Sequence, residues 1–417
     1  MIPEAGLKTP LHREDWTTMR LKYLLERKRR DLRPDDGVVT AFRDGVVTLR
    51  SNRREDGFTF ADKEIGYQGV EPDDLVIHAM DGFAGAIGVS DSRGKCSPVY
   101  TITVPRSNAQ AHTRFWAYYL RNLAVTGFIE SLAKGIRERS TDFRWSDAGN
   151  LLVNFPDLDT QKAIADFLDR ETARIDQLIE KKQRFLTLTA RRIDALVDEA
   201  ISDPTVPRLR FEHAVHRMQR SVVLSEHDEL VRLGLFNRGR GMFKKPAADE
   251  EGMGDSSFYF VREGDLILSG QFAWEGAVAL ATEDEEGCVV SHRYPVFRGK
   301  DGINTAYILG LLRSGFGDFL LNESSRGSAG RNRPLNTWRL GKEKIPIPSR
   351  ALQEAVDRAL AFERQLKKKT EHSINLLTEA RSAMITAAVT GQIDVTTWGK
   401  QGQTDRRLDQ IEEAMRA

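Results

Sequence analysis

Basic residues in short, glycine-containing segments are the side chains of this sequence that could do chemistry, and that chemistry is the binding of a polyanion. Two clusters follow apolar runs that predict strands, namely Val46–Leu49 and Leu233–Phe236. Arginine can bond guanine through two hydrogen bonds, asparagine can bond adenine, and glycine lets a backbone approach phosphates. We predict DNA contacts from both clusters because they take similar places in the two halves of the chain, although either alone could be a solvated surface loop. Their members are Arg50, Arg53, Arg54, Asn237, Arg238, Arg240, Lys244 and Lys245.

A second pair of basic clusters lies shortly before each of two long helical segments. We predict that they also contact DNA, without assigning any residue to bases or to phosphates. Trp145 and Trp338 lie beside these clusters, where we predict packing between a globular part and a helix, with base stacking as the alternative. The basic residues are Lys134, Arg137, Arg139, Arg144, Arg326, Arg331 and Arg333.

Motifs for catalysis, cofactors or metals are missing from the sequence. The glycines of Gly82–Gly88 lack the strand and helix that flank a dinucleotide-binding loop, so this segment predicts a hairpin. Asn154–Asp157 lacks the first proline of the motif of adenine methyltransferases and predicts a helix cap instead. No phosphate-binding loop of the Walker type is present, and the histidines and cysteines lack zinc-site spacing. We therefore predict no catalytic, cofactor-binding or metal-binding residue.

The elements that must position the basic clusters occur twice, because the chain contains an internal repeat. Arg20–Tyr23 recurs as Arg208–Phe211 and Asp74–Ile77 as Asp265–Leu268, at shifts of 188 and 191 residues. The same shift, within two residues, relates four later pairs, which are Gly85 and Gly276, Cys96 and Cys288, Trp145 and Trp338, and Gln161 and Gln353.

Each copy predicts a mixed part followed by a long helix. The mixed parts contain short alternating runs, typical of strands, and one amphipathic helix each, over Thr113–Phe128 and Ala306–Leu321. The long helices are expected after Pro156 and after Ser349, a plausible N-cap, and should end at Asp203-Pro204 and at Gly391. We predict that they pack antiparallel as a rod with a globular part at each end; each helix folding back on its own globular part is the alternative.

Composition fits a globular chain without a membrane span. Of 417 residues, 40% are hydrophobic and 29% charged, and 62 basic residues balance 61 acidic ones. A surface for nucleic acid must therefore come from local clusters. The apolar runs are shorter than the roughly 20 residues of a spanning helix. The first residues do not resemble a secretory signal, and Cys96 and Cys288 suit a reducing compartment, so we expect the protein in the cytoplasm.

Beside this interpretation, the sequence resembles the specificity subunits of type I restriction–modification systems. Gln161–Asp169 and Thr172–Lys182 are similar to the opening of that family's first helix, and Ala387–Asp394 is similar to the end of its second. The resemblance covers nearly the whole chain. It implies an α+β fold with two similar mixed α/β target-recognition domains and two long helices that form an antiparallel coiled coil. We expect a first recognition domain (1–155), a spacer helix (156–203), a second recognition domain (204–347), a second spacer helix (348–392) and a tail (393–417).

The resemblance also implies a function without catalysis in this chain. Such a subunit recognises a bipartite, asymmetric site in double-stranded DNA, sets the gap between the half-sites and docks two methyltransferase subunits, through which restriction subunits join. S-adenosylmethionine, ATP and magnesium are then expected on the partner subunits. The alternative from another class is a non-catalytic coiled-coil adaptor with two domains that bind protein or RNA.

Overall fold

The protein divides into two compact units in a computed structural model. The structure describes residues 8–10, 13–53, 65–107, 110–132, 143–327, 333–398 and 410. Unit 1 comprises Met1–Glu180 with His372–Ala417, and unit 2 comprises Lys181–Glu371. Each unit thus contains one strand-rich segment and a part of each long helix.

The first half of the chain contains ten strands and four helices among its described residues. The strands are β1 (Thr17–Arg20), β2 (Leu25–Lys28), β3 (Val39–Ala41), β4 (Val47–Leu49), β5 (Gln68–Val70), β6 (Leu75–His78), β7 (Ile87–Val89), β8 (Gly94–Cys96), β9 (Tyr100–Pro105) and β10 (Leu152–Phe155). The helices are α1 (Thr113–Val125), α2 (Phe128–Ser131), α3 (Trp145–Ala148) and α4 (Leu158–Ser202).

The second half repeats this order of strands. They are β11 (Arg208–Arg210), β12 (Val215–Met218), β13 (Leu233–Leu235), β14 (Met242–Lys244), β15 (Phe258–Phe260), β16 (Leu266–Leu268), β17 (Val278–Leu280), β18 (Val289–Ser291), β19 (Val296–Gly299) and β20 (Lys344–Pro346). The helices are α5 (Phe211–Ala214), α6 (Glu250–Met253), α7 (Thr305–Arg313), α8 (Gly315–Glu323), α9 (Thr337–Lys342), α10 (Arg350–Val389) and α11 (Val395–Trp398).

Strand pairing is the same in both units, which confirms the repeat. An antiparallel sheet with the order β2-β9-β6-β7 in unit 1 matches β12-β19-β16-β17 in unit 2. Three two-stranded pairs match as well, namely β1-β10 with β11-β20, β3-β4 with β13-β14, and β5-β8 with β15-β18. One predicted equivalence, that of Cys96 with Cys288, is wrong. Lys95 forms an isolated bridge to Val38, and Val289 forms the corresponding bridge to Arg232. The residues that follow them, Cys96 and Val290, therefore occupy equivalent positions.

Alternation along the central strands explains why each sheet has a core on both faces. In β6, Leu75 and Ile77 join the cluster built on α1, whereas Val76 joins a second cluster with β3 and β4. In β16, Leu266 and Ile267 divide in the same way between two clusters. Because side chains alternate across a strand, these short apolar runs belong to strands covered on both sides.

The segment Gly82–Gly88 forms a hairpin connection, as its sequence predicts. A short 3-10 turn over Gly82–Ala84 joins β6 to β7, and Gly85 follows it with a φ of 90°. The turn Ala273–Glu275 joins β16 to β17, with Gly276 at a φ of 71°. A left-handed glycine therefore ends both turns.

A buried carboxylate stabilises the turn before the central strand in each unit. Asp74 accepts two hydrogen bonds from the Arg30 guanidinium, at 2.5 and 2.9 Å. Asp265 accepts two from Arg220, at 2.6 and 3.2 Å, and a third from Arg298 at 2.5 Å. The repeated aspartate of the sequence is therefore a structural residue.

The long helices begin with the same arrangement of polar groups. The Asp157 carboxylate accepts hydrogen bonds from the backbone N–H groups at the start of α4, and the Ser349 hydroxyl accepts one at the start of α10, as expected of N-caps. One turn later, the buried Gln161 side chain bonds the backbone of His112, Gln110 and Pro156. Gln353 makes the equivalent bonds to Asn304, Gly302 and Pro348, so each glutamine ties a long helix to the segment before α1 or α7.

Helices α4 and α10 pack against each other within both units. In unit 1, Ile175 of α4 shares a core with Leu377 and Met384 of α10. In unit 2, Val197 of α4 shares a core with Val356 of α10. The first part of one helix packs with the last part of the other, so the two run antiparallel and the predicted coiled coil is confirmed. The alternative is also partly right, because the same clusters include side chains of α1 and α7.

Two predicted helices are shorter in the structure than their patterns indicate. Helix α1 ends at Val125, and Gly127, with a φ of 80°, separates it from α2. The pattern over Ala306–Leu321 forms two helices, because Ser314 is extended and its hydroxyl caps the start of α8 through the N–H of Gly317. A local capping residue interrupts an otherwise continuous apolar face in both places.

Candidate nucleic-acid interface

The β13–β14 hairpin carries the second predicted basic cluster. Leu233–Leu235 pairs antiparallel with Met242–Lys244, and the N–H of Phe236 bonds the carbonyl of Gly241 at 3.0 Å. Arg238, Gly239 and Gly241 all have positive φ, at 59°, 60° and 98°. A left-handed arginine is uncommon, and Arg238 with the two left-handed glycines gives the connection its tight curvature.

Bonds to the neighbouring β16–β17 turn fix the tip of this hairpin. The N–H groups of Arg238 and Gly239 donate to the carbonyls of Glu275 and Gly276, each at 2.7 Å. The Asn237 amide donates to the Glu275 carboxylate. Gly239 also lies against Arg313, because a Cβ there would come within 3.1 Å of its Nε. The predicted residue Asn237 is therefore used inside the fold.

The basic side chains of this hairpin point to solvent beside two aromatic rings. Arg238, Arg240, Lys244 and Lys245 are all exposed, and no ion pair joins any of them to a carboxylate in the part of the chain that the structure describes. The Arg240 Nε bonds the carbonyl of Asn237, and its guanidinium lies 5.2 Å from the ring of Phe236. We define these four basic residues, together with Phe236 and Phe243, as the basic hairpin.

The two aromatic residues of the basic hairpin are functional candidates that the sequence interpretation missed. Phe236 and Phe243 are 39% and 37% exposed, and their ring centroids are 4.7 Å apart. The sequence pattern that could have revealed them is the alternation of side chains along the two strands that flank a glycine-rich turn. This alternation places both rings on one face of the hairpin.

A cleft of about 930 Å³ lies beneath the hairpin tip in unit 2. Its lining includes Asp194 of α4, Arg313 of α7 and Asp318 of α8. Burial raises the pKa of the Asp194 and Asp318 carboxyls. Arg313 is held by Glu363 through two hydrogen bonds of 2.7 and 3.0 Å. The cleft is therefore mixed in charge, and the positive surface is the hairpin above it.

The equivalent β3–β4 hairpin of unit 1 has a different charge arrangement. Arg43 at its tip pairs with Asp81 at 2.8 Å, and Arg53 pairs with Asp44 at 2.9 and 2.5 Å. The Arg53 guanidinium also lies 4.3 Å from the ring of Phe42. Burial acts to raise the pKa of Asp44, but the hydrogen bond from Arg53 and that residue's charge keep it below its usual value. The arginines of this hairpin are thus neutralised within the protein.

The first two basic clusters are not at corresponding positions, contrary to the prediction. Arg50 and Arg53 follow β4, the second strand of their hairpin, whereas Arg238 and Arg240 lie between the two strands of theirs. The sequence comparison matched the second strand of one hairpin with the first strand of the other. Arg50 also bonds the hydroxyl of Thr40 at 2.9 Å. Arg54 lies outside the described residues.

In the clusters before the long helices, Arg326 and Arg333 have partners within the protein. Arg326 pairs with Glu323, and Arg333 bonds the carbonyl of Ser325 at 3.0 Å while its guanidinium lies 4.8 Å from the ring of Trp274. Arg144 is exposed and immediately precedes α3. The remaining predicted residues, Lys134, Arg137, Arg139 and Arg331, lie outside the described residues.

The two repeated tryptophans differ in environment. Trp145 packs against the core of unit 1, as predicted. Trp338 is 70% exposed, with the Lys342 ammonium 5.6 Å from its ring, so the packing prediction is wrong there.

The described residues contain neither a candidate metal site nor a candidate membrane span. No group of three or more histidine, cysteine, aspartate or glutamate side chains is placed to hold a metal ion there. No helix in that part of the chain has both the length and the apolar character for crossing a bilayer.

Solved structures with the same fold come from type I restriction–modification (R-M) systems. A chain from a structure of complex assembly and conformational transition of the type I R-M system aligns with a TM-score of 0.56 and 14% identity, covering 91% of this chain and 99% of that one. The S subunit of a type I system from M. genitalium aligns with a TM-score of 0.50 and 15% identity, covering 93% and 99%. The HsdS subunit from Thermoanaerobacter tengcongensis aligns with a TM-score of 0.47 and 16% identity, covering 91% and 98%.

These similarities confirm the expected resemblance at the level of the fold. The chain has the S-subunit fold over more than nine-tenths of its length. No protein-family model matches the sequence, and no curated protein does.

Proposed function

We propose that this chain is the DNA-recognition subunit of a type I restriction–modification complex. The observation that carries the proposal is the basic hairpin, whose four exposed cations have no acidic partner among the described residues. It belongs to a fold shared with S subunits. A cationic surface without internal neutralisation attracts a polyanion, because counterions are released when phosphates are bound.

The shape of the basic hairpin suits a groove of duplex DNA. A two-stranded ribbon fits a major groove about 12 Å wide. Arg238 and Arg240, at the tip, would reach base edges, whereas Lys244 and Lys245, on the returning strand, would contact phosphates. The bonds to Glu275 and Gly276 hold the tip in place before DNA arrives, which lowers the entropic cost of binding.

Two units with one topology support recognition of a bipartite site. Residues 1–155 and 204–347 would each recognise one half of an asymmetric sequence, with α4 and α10 as spacers. No catalytic step is assigned to this chain. Adenine methylation, with S-adenosylmethionine, and restriction driven by ATP and magnesium would belong to methyltransferase and restriction subunits in the cytoplasm.

Exposed apolar side chains on the long helices support the docking of those partners. Phe185 and Leu188 of α4 are 49% and 51% exposed, and Phe362 of α10 is 51% exposed. Large apolar side chains in solvent on a helix are typical of protein–protein contacts. We propose that methyltransferase subunits cover them.

Binding to the native split site, with and without the methyltransferase partner, tests the proposal. We expect weak binding by the chain alone, tight binding by the complex, and a log–log salt dependence with a slope of about −4 or steeper from the hairpin contacts. The control is the chain with Phe185→Ser and Phe362→Ser, mixed with the methyltransferase partner. It should keep the weak DNA affinity of the chain alone, and the partner should no longer increase that affinity. Equal affinity with and without the partner would favour the adaptor that binds protein or RNA, and a flat salt dependence would favour an adaptor that binds protein.

A further inference from the structure

A pocket of about 260 Å³ in unit 1 lies between the β3–β4 hairpin, α1 and the long helices. Its charged lining consists of Asp44 from the hairpin tip, Arg114 and Arg121 from α1, Asp169 from α4 and Arg381 from α10. These side chains carry three positive charges against two negative ones. The pocket therefore has a surplus of positive charge.

Arg121 is the arginine of this lining whose charge is not paired with a carboxylate through a hydrogen bond among the described residues. Its Nε is buried with no hydrogen-bond partner among the described residues, and its only hydrogen bond there runs from Nη2 to the carbonyl of Arg43, at 3.4 Å. Burial lowers the pKa of Arg121 and the positive charge of Arg381 lowers it further, while the nearby Asp44, Tyr118 and Asp176 act in the opposite direction. A Cβ on Gly45 would lie 2.7 Å from the Nε of Arg121, so the guanidinium is confined by the hairpin tip.

The carboxylates around the pocket are already engaged with other cations. Asp44 is held by Arg53, and Asp176 of α4 lies 3.1 Å from the Arg381 Nε. Asp169 accepts hydrogen bonds from Arg114 and from the Tyr118 hydroxyl. Arg114 also bonds Asp166 at 2.6 Å. These acids therefore form their hydrogen bonds and ion pairs with Arg53, Arg114 and Arg381, and none forms a hydrogen bond with Arg121 among the described residues.

Unit 2 shows what the same position looks like when it is satisfied. Arg313 ends α7 as Arg121 lies near the end of α1, and each lies against the hairpin glycine of its unit, Gly239 or Gly45. Glu363 of α10 grips Arg313 with two hydrogen bonds. In unit 1 the counterpart of Glu363 is Glu171 of α4, ten residues after Gln161 as Glu363 is ten residues after Gln353. Glu171 bonds Arg170, and no hydrogen bond joins it to Arg121 among the described residues, while α10 brings Arg381 to the pocket.

We propose that the pocket in unit 1 binds a phosphate group between Arg121 and Arg381. Arginine groups from two different helices face the pocket, and a tetrahedral oxyanion can accept hydrogen bonds from several directions at once. A planar carboxylate would satisfy a single guanidinium fork. The phosphate group could belong to a small solute or to a nucleic-acid backbone, and the site does not depend on the proposed recognition of DNA by the basic hairpin.

Thermal unfolding of the full-length chain with inorganic phosphate tests this site. At about ten times the dissociation constant, phosphate should raise the Tm of unit 1 by about 3 °C relative to chloride of equal ionic strength. Arg121→Met keeps the apolar stem but removes the guanidinium, and should abolish the saturable shift. Arg313→Met is the matched control: it should lower the stability of unit 2 but leave the phosphate shift unchanged.

A second variant protects the test against simple misfolding. Ala117 lines the pocket one helical turn before Arg121, so Ala117→Glu supplies the missing carboxylate as an i,i+4 pair. This variant should be at least as stable as the wild type without phosphate, and phosphate should no longer shift its Tm. A phosphate shift that survives in both Arg121→Met and Ala117→Glu would overturn the proposal.

Phosphorus NMR on the same chain distinguishes the two sources of the group. If duplex DNA displaces bound inorganic phosphate from the wild type, a backbone phosphate occupies the pocket; if phosphate stays bound on saturation with DNA, the ligand is a small solute. Either result supports the site. A phosphate line unbroadened by the wild-type chain at any concentration would contradict it.

Discussion

The hairpins β3–β4 and β13–β14 have the same place in the fold but opposite uses for their arginines. In unit 1, Arg43 and Arg53 are paired with Asp81 and Asp44. In unit 2, the cations of the basic hairpin have no acidic partner in the described part of the chain, and the tip is fixed through backbone bonds to Glu275 and Gly276. The repeated fold therefore keeps the position of this loop, while the pairing of its charges differs between the units.

The buried polar groups behave in the opposite way and keep their partners. Gln161 and Gln353 make equivalent hydrogen bonds. Asp74 and Asp265 each accept two hydrogen bonds from one arginine guanidinium. A buried polar group without its partner is costly, so these contacts resist change, whereas solvated loops do not. The proposed recognition of two different half-sites would require this combination.

The largest expected difference between the units is in DNA affinity. Replacing Arg238, Arg240, Lys244 and Lys245 by alanine should weaken binding of the complex to its site by about 10²–10³-fold and reduce the magnitude of the salt slope by about 3.6. Replacing Arg43 and Arg53 by alanine should change affinity by less than about threefold, since their charges are already neutralised. Fluorescence anisotropy at several salt concentrations measures both. Equal losses would show that the charge pairing of unit 1 does not matter.

The next largest difference is in stability, at the buried aspartates. Asp265→Ala should destabilise unit 2 by about 3–4 kcal/mol, because Arg220 and Arg298 both lose their partner. Asp74→Ala leaves only Arg30 unpaired and should cost unit 1 about 1 kcal/mol less. Urea unfolding followed separately in each unit tests this, with the asparagine variants as controls for size. A larger loss from Asp74→Ala would refute the account.

The two buried glutamines should instead give equal effects. Gln161→Ala and Gln353→Ala each remove the same three backbone contacts, and each should cost about 2 kcal/mol. Chemical denaturation of the two variants provides the measurement. Losses in the free energy of unfolding that differ by more than about 1 kcal/mol would show that the two glutamines have equivalent geometry but unequal contributions to stability.

The smallest expected effect is a pH dependence of unit 1. Burial lowers the pKa of His78 and of His112, so the folded state binds a proton less readily than the unfolded chain. Stability should therefore be fully present above the unfolded pKa and fall as the pH drops through it. The variant His78→Gln with His112→Gln should lose less stability between pH 7.5 and 5.5 than the wild type. An identical pH dependence of stability in the variant and the wild type would show that these two histidines do not cause it.

Much of the fold could be predicted from the sequence, because periodicity and caps report local structure directly. Asp157, Ser349 and Gly391 marked the helix ends, and the repeat predicted two similar units. The site was harder to predict. Residue type alone could not show that Arg333 binds carbonyls or that Arg53 pairs with Asp44, because those partners are distant in sequence or depend on the turn geometry.

The error in matching the two basic loops has a similar cause. When two similar hairpins are aligned by sequence alone, the second strand of one matches the first strand of the other equally well, because both strands alternate apolar residues. Only the strand pairing in the structure shows that Arg50 follows the second strand of its hairpin and Arg238 follows the first.

Sequencing of methylated sites in cells tests the central claim, that each unit recognises one half of a split DNA site. Residues 1–155 would be exchanged for those of a relative with a different target, in the intact complex. The account predicts methylation at sites in which one half is new and the other half is unchanged. Methylation in which both halves change, or in which neither changes, would contradict it.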